Sequence, residues 1–161
     1  MWDFSKLEQM DKTEKEGKIV IASGYFDPLH IGHIEHLQLA KEIAGENGKL
    51  IVIVNNDKQA RLKKGYEFMP LKERAEIVKA LACVDDVFIS IDEDKSVIKS
   101  IRAVHEKYGA NIFAKGGDRF AYEMPETPTC NELGIEIIHG LGEKIQSSSE
   151  LVARSREFEK K

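Results

Sequence analysis

Five short runs of aliphatic and β-branched residues, each set apart from the next by a segment with helical spacing, constrain what this chain can fold into. The runs are Lys18-Ile19-Val20-Ile21-Ala22, Lys49-Leu50-Ile51-Val52-Ile53-Val54, residues 84–91, Ile112-Phe113-Ala114 and residues 135–138. The first two are continuously apolar after their lysine rather than alternating, as strands buried on both faces are. Between the runs, apolar residues recur every three or four positions: Ile34, Leu37, Ala40, Ile43 and Ala44; then Leu71, Ala75, Ile77, Val78 and Leu81; then Ile98, Ile101, Val104 and Tyr108. Pro70 introduces the second of these helices and Gly109 ends the third. A basic, flexible stretch is expected at residues 61–65, a polar loop at 119–131, and a last helix from near Ser147. Strand and helix in alternation predict an α/β fold, a Rossmann-like parallel sheet of about five strands with helices on both faces.

Length and charge narrow the class further. With 161 residues, 42% hydrophobic and 32% charged, the chain can bury one sizeable core. A single domain over 18–161 is expected, preceded by a charged arm, 1–17, whose Trp2, Phe4, Leu7 and Met10 would pack on it. The net charge of −4, with both signs mixed, argues against a nucleic-acid surface. Cys83 and Cys130 lack metal-ligand spacing and are expected as free thiols. No apolar run approaches the ~18 residues of a membrane span, and no secretory signal is evident, so no membrane partner and a cytoplasmic location are expected.

The loop after the first run carries the chemistry: Ser23-Gly24-Tyr25-Phe26-Asp27-Pro28-Leu29-His30-Ile31-Gly32-His33. A strand, a loop and a helix in succession aim the loop's N–H groups and the positive end of the helix dipole at one spot, a site for an anion. His30 and His33, three residues apart, project from one face and can act together. The alternative is that one caps the helix while the other packs in a core. Gly32 allows a phosphate close approach to the backbone, and Pro28 stiffens the entry. In parallel sheets the ligand crevice lies at the carboxyl ends of the strands. Asn55 to Asp57, Lys115 to Asp118 and Ser147 to Ser149 all fall there. Ser147 with Glu150 also fits a helix capping box.

These motifs resemble the nucleotidyltransferase superfamily that carries a His-x-Gly-His motif, in particular its cytidylyltransferase-like branch, over nearly the whole chain after Gly17. The Lys115-Gly116-Gly117-Asp118 block is most similar to heptose-1-phosphate adenylyltransferases, and the size is similar to glycerol-3-phosphate cytidylyltransferases. The resemblance implies transfer of a nucleoside monophosphate from CTP or ATP to a phosphorylated small-molecule acceptor, with release of pyrophosphate. It implies that His30 and His33 stabilise the α-phosphate, that Lys63 or Lys64 neutralises the β- and γ-phosphates, and that Arg74 takes a catalytic part, although an amphipathic helix would carry an exposed arginine there in any case. Gly24, Tyr25, Phe26, Asp27 and Gly32 would line the nucleotide. Lys115, Gly116, Gly117 and Asp118 would hold the nucleoside, Asp118 accepting from a ribose hydroxyl, and Ser147, Ser148 and Ser149 the triphosphate tail. Magnesium is expected to ride on the phosphates without a protein cage, with Asp27 the one carboxylate close enough to touch it. A homodimer is also implied.

The chain departs from the cytidylyltransferase pattern at residues 142–148, where an arginine is missing and Lys144 stands near its place. Arg119 replaces an aromatic residue, and the loop over 119–131 is expected to select the acceptor. Three functions follow as expectations: transfer to a sugar or polyol phosphate; a coenzyme-forming adenylyltransferase for phosphopantetheine or a flavin or nicotinamide mononucleotide; and a nucleotide sensor without catalysis. Phosphopantetheine enzymes generally lack the first histidine, which argues against that member.

Overall fold

A computed structural model describes residues 17–116, 124–141 and 152 of the protein. The elements run β1 (Ile19–Gly24), α1 (Ile31–Ala44), β2 (Lys49–Val54), α2 (Asp57–Lys64), α3 (Leu71–Lys79), β3 (Asp86–Ile89), α4 (Ile98–Tyr108), β4 (Ile112–Gly116), α5 (Thr127–Leu133) and β5 (Glu136–Leu141). The strands form one sheet in the order β3-β2-β1-β4-β5, and every neighbouring pair is parallel. This is the expected Rossmann-like architecture, and its order reverses between β1 and β4, where such sheets open a crevice.

Successive side chains of a strand point to opposite faces, so each buried strand feeds two cores. Val20 and Ala22 of β1, Leu50, Val52 and Val54 of β2, and Ile112 and Ala114 of β4 pack with Leu37, Ala40 and Ala44 of α1 and Val78 of α3. Ile21, Ile51, Ile53 and Phe113, the residues between them, pack with Ile101 and Val104 of α4 and Cys130 of α5. Burial on both faces explains why these runs show no polar alternation.

Three elements differ from the sequence expectation. The stretch expected to be flexible, 61–65, is instead the end of α2. Its start is locked by Asn56, whose side chain accepts from the Gln59 N–H while the Gln59 side chain accepts from the Asn56 N–H, and Gly65 closes it in the left-handed conformation at φ 85°. The third strand is shorter than 84–91: Val84 is core, yet pairing with β2 spans only Asp86 to Ile89. The loop expected over 119–131 contains α5, a helix of two turns whose short length leaves no periodicity to read and which is anchored by buried Thr129 and Cys130. Most of the arm, 1–16, and the last helix expected from Ser147 lie outside the described residues, apart from buried Val152.

Candidate active site

β1 delivers the chain to the sheet's carboxyl edge, and the loop that follows packs on its own aromatic residue. Phe26 is 1% exposed and lies in the left-handed region, φ 51°. Gly24 leaves room for it: a Cβ there would sit 2.9 Å from the Phe26 ring. The Asp27–Pro28 peptide is cis. His30 then serves as N-cap of α1 in an extended conformation, its Nδ1 accepting the Gly32 N–H at 3.1 Å. Reciprocally, the His33 Nδ1 accepts the His30 N–H at 3.1 Å. The two imidazoles stack with centroids 3.8 Å apart and planes 25° off parallel, and the Phe26 ring meets His33 edge-on at 5.0 Å. The alternative of one capping and one core histidine is thus replaced by two histidines that cap each other's turn.

Burial first, and then the positive charge of His30, His36, Lys63 and Lys64, pushes the His33 pKa down to about 3. Burial likewise lowers that of His30. Near neutral pH both rings are uncharged, and the local positive charge comes from lysines and the helix terminus.

Asp27 is fully buried, and its carboxylate accepts from Phe68 N–H at 2.8 Å, Met69 N–H at 2.6 Å and Lys64 Nζ at 3.3 Å. Lys64 also donates to the Asp27 carbonyl at 3.1 Å. These bonds tie the segment after α2 under the histidine loop. They also correct the expectation that Asp27 would face a metal ion, because its oxygens are spent inside the fold. Among the described residues, no group of three His, Cys, Asp or Glu side chains could hold a metal. Lys63, by contrast, is exposed, with its Nζ 4.4 Å from the Tyr25 ring centroid.

Arg74 is not the exposed arginine that an amphipathic helix would carry: its exposure is 0%. Its guanidinium donates to the carbonyls of Met69 (2.9 Å), Tyr25 (2.8 Å) and Asn55 (2.7 Å) and pairs with Asp57 at 2.7 Å. One buried cation thus joins the ends of β1 and β2 to the segment before α3. A helical period shows which face a residue occupies; only the packed loops supply the four acceptors that make burial of a guanidinium tolerable.

Lys115 and Gly116, half-buried, end β4 beside β1, and a Cβ at Gly116 would lie 2.9 Å from the His36 Nδ1. Gly117, Asp118, Arg119, Lys144, Ser147, Ser148 and Ser149 lie outside the described residues. Asn56, expected at the crevice, supplies support together with two residues that sequence reasoning missed, Gln59 and Asp92. Asn56 donates to the carbonyls of Ser90 and Asp92, and Gln59 to those of Asp94 and Ser96. Asp92, 3% exposed, caps the start of α4 through the N–H groups of Lys99 and Ser100. The Asn-x-x-Gln spacing after a strand was the available signal, since amides make the same reciprocal cap as Ser-x-x-Glu.

With a mononucleotide-type sheet and a paired-histidine helix start at its crevice, the family is decided by one further observation: residues 21–154 match the family described as cytidylyltransferase-like. The chain belongs to that family. Among its relatives, the "Bifunctional protein HldE" of Streptomyces coelicolor is 33% identical over 147 residues, 89% of this chain and 29% of that protein. An FAD synthase of Methanopyrus kandleri is 39% identical over 87 residues, 53% of this chain and 58% of that one. The chain therefore spans less than two thirds of either curated relative. A solved structure, the lipopolysaccharide core biosynthesis protein of Thermoplasma volcanium, aligns with TM-score 0.63 and 26% identity over 78% of this chain and 98% of the other. Among the described residues of this cytidylyltransferase-like protein, no helix is long and apolar enough to cross a membrane.

Proposed function

We propose that the protein is a nucleotidyltransferase that moves a nucleoside monophosphate from CTP or ATP to a phosphorylated sugar or polyol and releases pyrophosphate. The observation that carries this reading is the pair of stacked histidines at the start of α1, at the switch point of a parallel sheet. When the acceptor's oxygen attacks the α-phosphorus in line, negative charge builds on the equatorial oxygens, and fixed donors aimed there lower the barrier. His30 and His33 would supply them. An acceptor phosphate, with a second pKa of about 6, is already largely ionised and needs no general base. Lys63, exposed beside Tyr25, would meet the β- and γ-phosphates, while Lys64 stays on Asp27 and positions the loop. Magnesium would enter with the triphosphate as part of the substrate, held mainly by phosphate and water oxygens. The nucleoside would lie along Lys115, Gly116, Gly117 and Asp118, with Ser147, Ser148 and Ser149 at the triphosphate tail. A cytoplasmic homodimer completes the proposal.

The FAD synthase relatives favour a second reading, in which flavin mononucleotide is the acceptor and ATP the donor. Support for the sugar or polyol acceptor comes from the HldE match over 89% of the chain and from the lipopolysaccharide core biosynthesis protein. The deciding experiment is pyrophosphate release from ATP and CTP, each with magnesium, against a panel of sugar phosphates, polyol phosphates and flavin mononucleotide. Turnover with a sugar or polyol phosphate is expected. Turnover with flavin mononucleotide alone would replace the first reading by the second, and no turnover by folded protein would overturn both.

A further inference from the structure

We propose that the reciprocal capping box of α1 is a tautomer lock: the N–H groups of Gly32 and His30 act as positioning groups that hold both imidazoles neutral, with the ring proton on Nε2. The functional part of this inference rests on the transferase reading above; the structural part does not.

The argument starts from the two hydrogen bonds. A ring nitrogen that accepts an N–H cannot itself carry a proton, and the Nδ1 atoms of both His30 and His33 are acceptors. A neutral imidazole has one N–H, so in each ring it sits on Nε2. An imidazolium would set a second N–H against its backbone donor and could not accept that bond. The described neighbours of the pair reinforce this choice. The rings stack on each other at 3.8 Å, where two cations would repel. Lys63 and Lys64 of α2 and His36 of α1 face His33, and the Phe26 edge fills one side of its ring.

Each histidine therefore has two ends with separate duties. Nδ1 holds the helix terminus, and Nε2–H is the end that would meet a ligand. General acid or base work by either ring would have to break the first turn of α1, so the pair serves as two directional donors beside a cationic lysine cluster.

The side-chain amides separate the two duties. An asparagine places its oxygen near the position of Nδ1 and nothing at Nε2; a glutamine reaches the Nε2 position and leaves Nδ1 empty. In the full-length, ligand-free protein labelled with 15N, long-range 1H–15N correlation at pH 7 is expected to show both imidazoles with an unprotonated Nδ1 and a protonated Nε2. A protonated Nδ1 in either ring would overturn the proposal, and this readout needs no turnover. His30→Asn and His33→Asn are expected to keep the thermal midpoint close to that of the unaltered protein. They should lose about 100-fold or more in kcat, the usual effect of deleting one transition-state donor. His30→Gln and His33→Gln should instead melt roughly 3–5 °C lower, as loss of a cap does, and keep more activity than their asparagine counterparts. If the asparagine variants melt as low as the glutamine ones, the box does not hold the rings and the lock is refuted. If the protein turns over no substrate pair while the tautomers and melting order are as stated, it is the transferase reading that fails.

Discussion

α1 and α2 both leave a central parallel strand at the same edge of the sheet, and both begin with a reciprocal capping box, yet only one of them carries the histidines of the proposed site. In α1 the box is His30 and His33; in α2 it is Asn56 and Gln59. The amides spend their remaining hydrogens on the carbonyls of Ser90, Asp92, Asp94 and Ser96, stitching down the loop after β3. The imidazoles satisfy the helix with one nitrogen, and in the proposal above the other meets a ligand. What distinguishes a binding terminus from a structural one is therefore the donor left over once the cap is made.

The strongest test of this contrast strikes the residue that joins the two boxes. Arg74 bonds the carbonyl of Tyr25, ahead of α1, and that of Asn55, ahead of α2. Arg74→Met should cost about 3–5 kcal/mol in urea denaturation, because it strands three carbonyls and the Asp57 carboxylate. An unchanged midpoint would mean that the two helix starts are not coupled through this guanidinium.

Gln59→Ala comes next, at about 1–3 kcal/mol of stability, since it leaves buried polar groups without partners. Turnover at saturating substrate should barely change. If kcat fell as far as in the histidine variants, α2 would share the chemistry and the contrast would collapse.

The most gradual effect is a slope against pH. The folded-state pKa of His33, about 3, lies below its ordinary value of 6.5, so the unfolded chain binds a proton that the folded chain refuses. The stability this provides is complete above about pH 6.5 and is lost as the pH falls towards 3. His33→Asn removes this dependence, so the variant, matched to the unaltered protein near neutral pH, should become steadily the more stable of the two as the pH falls across that window. The Asn56 and Gln59 box has no titrating group, and the corresponding difference for Gln59→Ala should stay level with pH. A level difference for His33→Asn would show that His33 is not held neutral by the fold.

Much of this was legible along the chain because it is local. Apolar runs and helical spacing follow from burial on two faces of a sheet or one face of a helix, and the paired histidines at the start of α1 stood out in the loop from Ser23 to His33. The short helices α2 and α5 were harder, since seven or eight residues carry little periodicity; a capping box and a glycine stop at Gly65 define α2 instead.

Asp27 and Arg74 show where local reasoning ends. Both are charged, both stand in motifs that suggest contact with a ligand, and both are buried in the fold. Their burial is tolerable only because the strand order β3-β2-β1-β4-β5 sets the ends of β1 and β2 side by side, so that backbone groups from residues 25, 55, 68 and 69 converge on them. By itself the sequence determined the alternation of strand and helix and the two histidines three residues apart. Tertiary structure decided which charges face outward and which are buried, because that depends on partners brought together by the order of strands rather than by their spacing.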